Sequence, residues 1–127
     1  MANYQSNLDL FDAAYKACGR VDHAASVAGI GERGDMFDPS LTLESVREEP
    51  RDGLSIVDVN LVGPLYFSRI ASVYLRQPDP HDQSSPAVGD KSLTLVSSVA
   101  GITEAPGLYV YSATKHGVYG LMRALRK

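Results

Sequence analysis

Apolar positions change period several times along the chain. Between Asn7 and Gly19 they fall at Leu8, Phe11, Ala14, Tyr15 and Cys18, three and four residues apart. That spacing predicts an amphipathic helix with Ser6 or Asn7 as N-cap, Gly19 as its stop and Cys18 as a small core residue. The run from Val21 to Gly29 is short, rich in small residues and of strand length. Residues 35–40, containing Pro39, read as loop, and Leu41 to Glu49 as a short helix capped by Ser40 or Thr42 and ended by Pro50. From Leu54 to Leu75 apolar residues lie on more than one helical face, which predicts a helix buried against two partners, bent where Gly63 and Pro64 interrupt it. Periodicity fails over 77–91, where Pro78, Pro80 and Pro86 stand among Asp, Ser and Gly, so this stretch reads as a flexible inserted loop. Ser92 to Ser98 alternates in strand fashion, a connection rich in glycine and proline follows from Ala100 to Gly107, and a last helix is expected from Tyr109 to Lys127. Helix, strand, helix, strand, helix implies a parallel α/β unit, with 1–127 as one domain and no internal repeat.

Composition narrows the classes. The chain has 127 residues, 44% of them hydrophobic and 21% charged, an ordinary globular balance. A net charge of −3 argues against a nucleic-acid partner. Asp58, Asn60 and Arg69 interrupt the long apolar helix, which therefore reads as core or subunit interface rather than a membrane span. The N-terminus lacks the basic start and apolar stretch of a secretion signal, Cys18 has no disulfide partner, and no Cys/His cluster has zinc spacing. The expectation is a cytoplasmic protein with no structural metal.

Gly29, Gly31 and Gly34 spell a literal G-x-G-x-x-G after a predicted strand. A dinucleotide-binding turn needs its third glycine at the start of a helix, whose N–H groups meet the pyrophosphate. Asp35, Phe37 and Pro39 follow instead, so the string reads as a glycine-rich loop.

Tyr111 and Lys115 are spaced i, i+4, on one face of the last helix. A free phenol is a poor acid or base at neutral pH, and a neighbouring ammonium favours its phenolate, which suits proton exchange with an alcohol or carbonyl. The same spacing also fits a solvated lysine on a helix. Ser98 ends the second strand thirteen residues before Tyr111, where α/β sheets bind ligands and where a hydroxyl can bond a developing alkoxide. His116 lies on another helical face and reads as structural.

Four motifs in order resemble the short-chain dehydrogenase/reductase family. Val27, Ala28 and Gly29 look like the tail of its N-N-A-G motif, and Asp58 to Gly63 look like the segment with its asparagine. Val96 to Gly101 look like its serine strand, and Tyr111 to Lys115 like its Y-x-x-x-K, the wording being most similar to fungal secondary-metabolism enzymes of the hydroxyprostaglandin-dehydrogenase-like branch. The resemblance implies a Rossmann-like three-layer α/β fold, of which this chain maps to the middle, without the N-terminal nucleotide-binding strands and phosphate loop or the C-terminal strands. It implies an oxidoreductase moving hydride between NADP or NAD and a small carbonyl or secondary alcohol. Tyr111 would be the general acid/base. Lys115 would lower its pKa and hold the nicotinamide ribose, Ser98 would orient the substrate oxygen, and Asn60 would hold a water. Ala28 and Gly29 would lie against the cofactor. Asn60 also fits a helix asparagine satisfied by backbone. Two strands with missing neighbours imply that the chain pairs with a copy of itself or a dehydrogenase-like subunit through Leu54–Leu75 and Tyr109–Lys127. A cofactor-free isomerase or cyclase, and a non-catalytic interaction subunit, are the competing functions.

Overall fold

The computed structural model describes residues 2–34, 36–50, 54–78 and 90–126. In chain order the elements are α1 (Tyr4–Cys18), β1 (His23–Ser26), a 3₁₀ turn (Ser45–Arg47), α2 (Ser55–Val57), a π-helical segment (Asp58–Val62), α3 (Gly63–Tyr74), β2 (Ser92–Leu95), a second 3₁₀ turn (Val99–Gly101) and α4 (Tyr109–Leu125). The expected order holds, and the two strands pair in parallel with His23 opposite Ser92 and Ser26 opposite Leu95. Packing divides the chain into two compact units, Met1–Ala28 with Gly63–Val96, and Gly29–Val62 with Ser97–Lys127.

The first unit contains the sheet, α1 and α3. Phe11, Ala24, Phe67, Ile70 and Ala71 form its core, with Leu8, Val21, Tyr74, Leu75 and Leu93 packed around them. Phe11 meets Phe67 and Tyr74 at ring separations of 5.0 and 5.3 Å, inside the range where aromatic pairs attract. α1 begins earlier than its apolar spacing predicts because Asn3, rather than Ser6 or Asn7, is the N-cap, its Oδ1 accepting the Ser6 N–H at 2.9 Å. Asn7 is buried within the helix and donates Nδ2 to the Asn3 carbonyl. Gly19 ends the helix as expected, at φ 72°, a conformation that favours glycine. Cys18 is exposed, contrary to expectation. It is the last helical residue, beyond the stretch where Phe11 and Tyr15 contact Tyr74. The inserted loop over 77–91 lies largely outside the described residues; at its two ends Lys91 Nζ donates to the Gln77 carbonyl at 2.6 Å.

In the second unit α4 packs against α2, the π segment and the second 3₁₀ turn. Ile56, Ala100, Val110 and Val118 are its buried apolar residues. The helix expected over 41–49 shrinks to the 3₁₀ turn at Ser45–Arg47. Thr42 and Ser45 use their polar groups on each other, the Thr42 N–H bonding Ser45 Oγ and the Ser45 N–H bonding Thr42 Oγ1. Leu43 is 86% exposed and Val46 66%, so no apolar face draws a longer helix into the core.

Ser55–Tyr74 is long and apolar enough, by length and composition only, to cross a membrane. Its apolar residues serve the two cores instead, Ile56 in one unit and Phe67, Ile70 and Ala71 in the other. Pro64 has no N–H for an α-helical bond to the Asn60 carbonyl, and the winding turns π over Asp58–Val62 just before it. The irregularity expected at Gly63 and Pro64 is therefore met one turn earlier.

Candidate active site

The second unit places Asn60, Lys115 and Gly29 together. Asn60 is 1% exposed, on the π segment, and its amide grips the backbone of Ile30 from both sides. Oδ1 accepts the Ile30 N–H and Nδ2 donates to the Ile30 carbonyl, each at 2.8 Å. A side-chain amide paired this way imitates a neighbouring strand and fixes the loop at one residue. Just before the grip, a Cβ on Gly29 would stand 3.2 Å from Asn60 Oδ1 and 3.4 Å from Lys115 Nζ. Glycine there lets the Asn60 amide and the Lys115 ammonium close up against the loop backbone.

Lys115 is buried on α4, and its Nζ lies 5.5 Å from the centre of the Tyr111 ring, so the i, i+4 pair shares a face as its spacing predicts. Tyr111 itself is half-buried. Thr114, 1% exposed, spends its hydroxyl on the Tyr111 carbonyl at 2.7 Å.

Ser98 is brought to α4 through its neighbours. It caps the second 3₁₀ turn, its Oγ accepting the Ala100 N–H at 3.2 Å, and this leaves the hydroxyl proton to donate to another group. Ser97 Oγ donates to the Lys115 carbonyl at 2.8 Å. A Cβ on Gly101 would stand 2.7 Å from that same carbonyl oxygen, so only glycine lets the turn approach the helix this closely. Ala28, the remaining sequence candidate, is exposed at the end of the first unit.

Glu32 was not among the sequence candidates. Its carboxylate accepts the N–H groups of Val110 and Tyr111 at 3.2 and 2.7 Å, at the start of α4. It also lines a cleft of about 210 Å³ with Met36, Phe37, Asp38, Pro39 and Tyr109. The Phe37 and Tyr109 rings there meet edge to face at 5.0 Å. Hydrogen bonds from the side chain and backbone N–H of Ser40 hold the Asp38 carboxyl below its usual range. The cleft is therefore aromatic with an acidic rim, which suits uncharged ligands better than anions.

The loop over 29–34 is not a phosphate cradle. No helix lies within residues 36–44 after Gly34, the Ile30 N–H is already bonded to Asn60, and Glu32 brings a negative charge. The Lys115 ammonium, packed close to the backbone at Gly29, is a cationic donor of the kind that could hold the hydroxyls of a sugar.

A family profile described as short chain dehydrogenase matches residues 1–127. The short-chain dehydrogenase/reductase ascJ of Acremonium egyptiacum is 35% identical over 124 residues, covering 98% of this chain and 39% of its own. The 5'-hydroxyaverantin dehydrogenase of Dothistroma septosporum is 36% identical over 136 residues, covering 99% of this chain and 42% of its own. The chain thus spans about two fifths of the curated relatives it matches. Among solved structures, a 3-oxoacyl-[acyl-carrier protein] reductase from Brucella melitensis in complex with NAD superposes with a TM-score of 0.71 at 25% identity, over 98% of this chain and 44% of that one. The aldohexose dehydrogenase of Thermoplasma acidophilum gives a TM-score of 0.68 at 26% identity, over 98% and 41%.

Proposed function

The chain belongs to the short-chain dehydrogenase family, and from that premise we propose that it carries the catalytic middle of an oxidoreductase working on a carbonyl or secondary alcohol in fungal secondary metabolism. The observation that carries the reading is the buried Lys115, whose ammonium lies 5.5 Å from the centre of the Tyr111 ring and close to the backbone of Gly29. When bound, NAD or NADP supplies or accepts the hydride. Tyr111 Oη gives the proton to the substrate oxygen in reduction and takes it in oxidation. Lys115 holds the sugar next to the phenol, and the Ser98 hydroxyl donates to the substrate oxygen as its charge develops. Because the Asn60 side chain is committed to Ile30, a water it holds in the proton path meets its backbone carbonyl.

The pyrophosphate end is left to residues outside 29–34. The acidic, aromatic cleft supports an uncharged, ring-bearing substrate. Leu65 and Val73 on α3, and Tyr119 and Leu125 on α4, are exposed apolar side chains that supply surface for subunit pairing.

The test is nicotinamide fluorescence on adding the chain to NADH or NADPH, followed by turnover of a panel of ketones and secondary alcohols. Tyr111→Phe should keep the fold by circular dichroism and reduce turnover by roughly 10²–10⁴-fold. Failure to bind either nucleotide at millimolar concentration counts against the reading. Turnover that persists without nucleotide yet vanishes in Tyr111→Phe would support the cofactor-free proton-transfer catalyst instead.

A further inference from the structure

The first turn of α4 has N–H groups that the helix cannot satisfy itself. Leu108 at the N-cap makes no side-chain cap bond, and the first turn holds no acidic residue. The groups are met from far away in sequence: Glu32 Oε2 accepts the Tyr111 N–H at 2.7 Å and Oε1 accepts the Val110 N–H at 3.2 Å. A carboxylate there also lies favourably against the positive end of the helix dipole.

Glu32 stands two residues beyond Ile30, whose N–H and C=O are both held by Asn60. The loop is therefore fixed at one point by the π segment and delivers its carboxylate at a second point to the backbone of Tyr111. We infer that Glu32 is a positioning residue: through the Tyr111 N–H it sets where the phenol stands relative to Lys115. The consequence for turnover rests on the acid/base role proposed for Tyr111; the positioning itself does not.

The experiment labels the tyrosines of the full chain with 3-fluorotyrosine and assigns the Tyr111 resonance as the one missing from Tyr111→Phe. Glu32→Ala should shift or broaden that resonance and speed hydrogen exchange at the Val110 and Tyr111 amides by about fivefold, the scale of a lost helix cap. The resonances of Tyr4, Tyr15, Tyr66 and Tyr74 in the first unit should stay in place. Glu32→Gln keeps an acceptor oxygen at the same reach and should fall between wild type and Glu32→Ala. An unmoved Tyr111 resonance overturns the inference, as does an equal disturbance of every tyrosine. Where Tyr111→Phe abolishes turnover, Glu32→Ala should lower kcat about tenfold and change KM for the nucleotide by no more than about twofold. A loss confined to KM overturns the positioning role. If wild type shows no Tyr111-dependent turnover, the proposed function fails while the resonance still decides this inference.

Discussion

The unit built on α1, α3 and the strand pair buries hydrocarbon, with Phe11, Phe67, Ile70 and Ala71 in contact across two helices. Both units also bury polar side chains, Asn7, Ser26 and Ser68 in the first and Asn60, Thr114 and Lys115 in the unit built on α4 and the π segment, and the difference lies in how they are used: Asn60 joins residues distant in sequence. Apolar contacts are non-directional, so the first interior tolerates small displacements and yields stability. Buried polar groups are costly unless each meets a partner at the right distance, so the second interior fixes positions instead. Their unmet groups reflect the same contrast. Ser26 and Ser68 in the first unit have buried hydroxyls without a partner, whereas in the second only Ser112 does, among the described residues. One unit invests in cohesion and the other in placement.

Substitution can break this contrast at three levels. The largest loss is expected for Phe67→Ala, which opens a cavity beside Phe11 and Ile70 and should cost about 3–5 kcal/mol in urea unfolding; a loss below about 1 kcal/mol would mean that the aromatic cluster is not what holds the unit. Next comes Asn60→Ala, which leaves the Ile30 N–H and carbonyl without their partners. It should cost about 1–3 kcal/mol and increase exchange at the Ile30 amide, and an unchanged Ile30 amide would show that the loop is held by something else. The smallest effect is expected for Tyr74→Phe, which removes the hydroxyl bonded to Asp12. That bond, burial and the Asp12 charge raise the Tyr74 pKa above its ordinary value of 10.0. A raised pKa means that the folded state holds the proton more tightly. The contribution is therefore complete below the ordinary phenol range and is lost as pH climbs through the raised value. Wild type should lose stability at strongly alkaline pH by a step that Tyr74→Phe lacks, and identical alkaline profiles for the two would remove Tyr74 from the account.

Local periodicity was enough to locate α1, both strands, the long apolar helix and α4, because each carries its own apolar stripe or alternation. It also placed Tyr111 and Lys115 on one face, a consequence of helical geometry alone. It misjudged Cys18 because a stripe says which side of a helix is apolar and not how far along it the neighbouring helix extends. It overextended 41–49 because Leu43 and Val46 show apolar spacing without a surface to cover. The bonds of Asn60 to Ile30 and of Glu32 to Tyr111 join residues 30 and 79 positions apart, and no local pattern encodes them. Glu32 was obscured further by standing at a variable position of the glycine string. One signal was available: Pro106, Gly107 and Leu108 bring no capping side chain to a helix that must start with unmet N–H groups. A helix without a local cap calls for an acceptor oxygen from elsewhere in the chain or from solvent.

The Asn60 amide also constrains how this protein can vary. Two bonds to a single residue measure the loop's length from Gly29, and an insertion or deletion before Ile30 would forfeit both at once. Beyond Glu32 no comparable bond to Asn60 fixes the count among the described residues, and Met36, Phe37 and Pro39 line the cleft from that stretch. A change of loop length within residues 36–44 would therefore alter the lining of that cleft while the Asn60 grip on Ile30 and the Glu32 bonds to α4 keep their register.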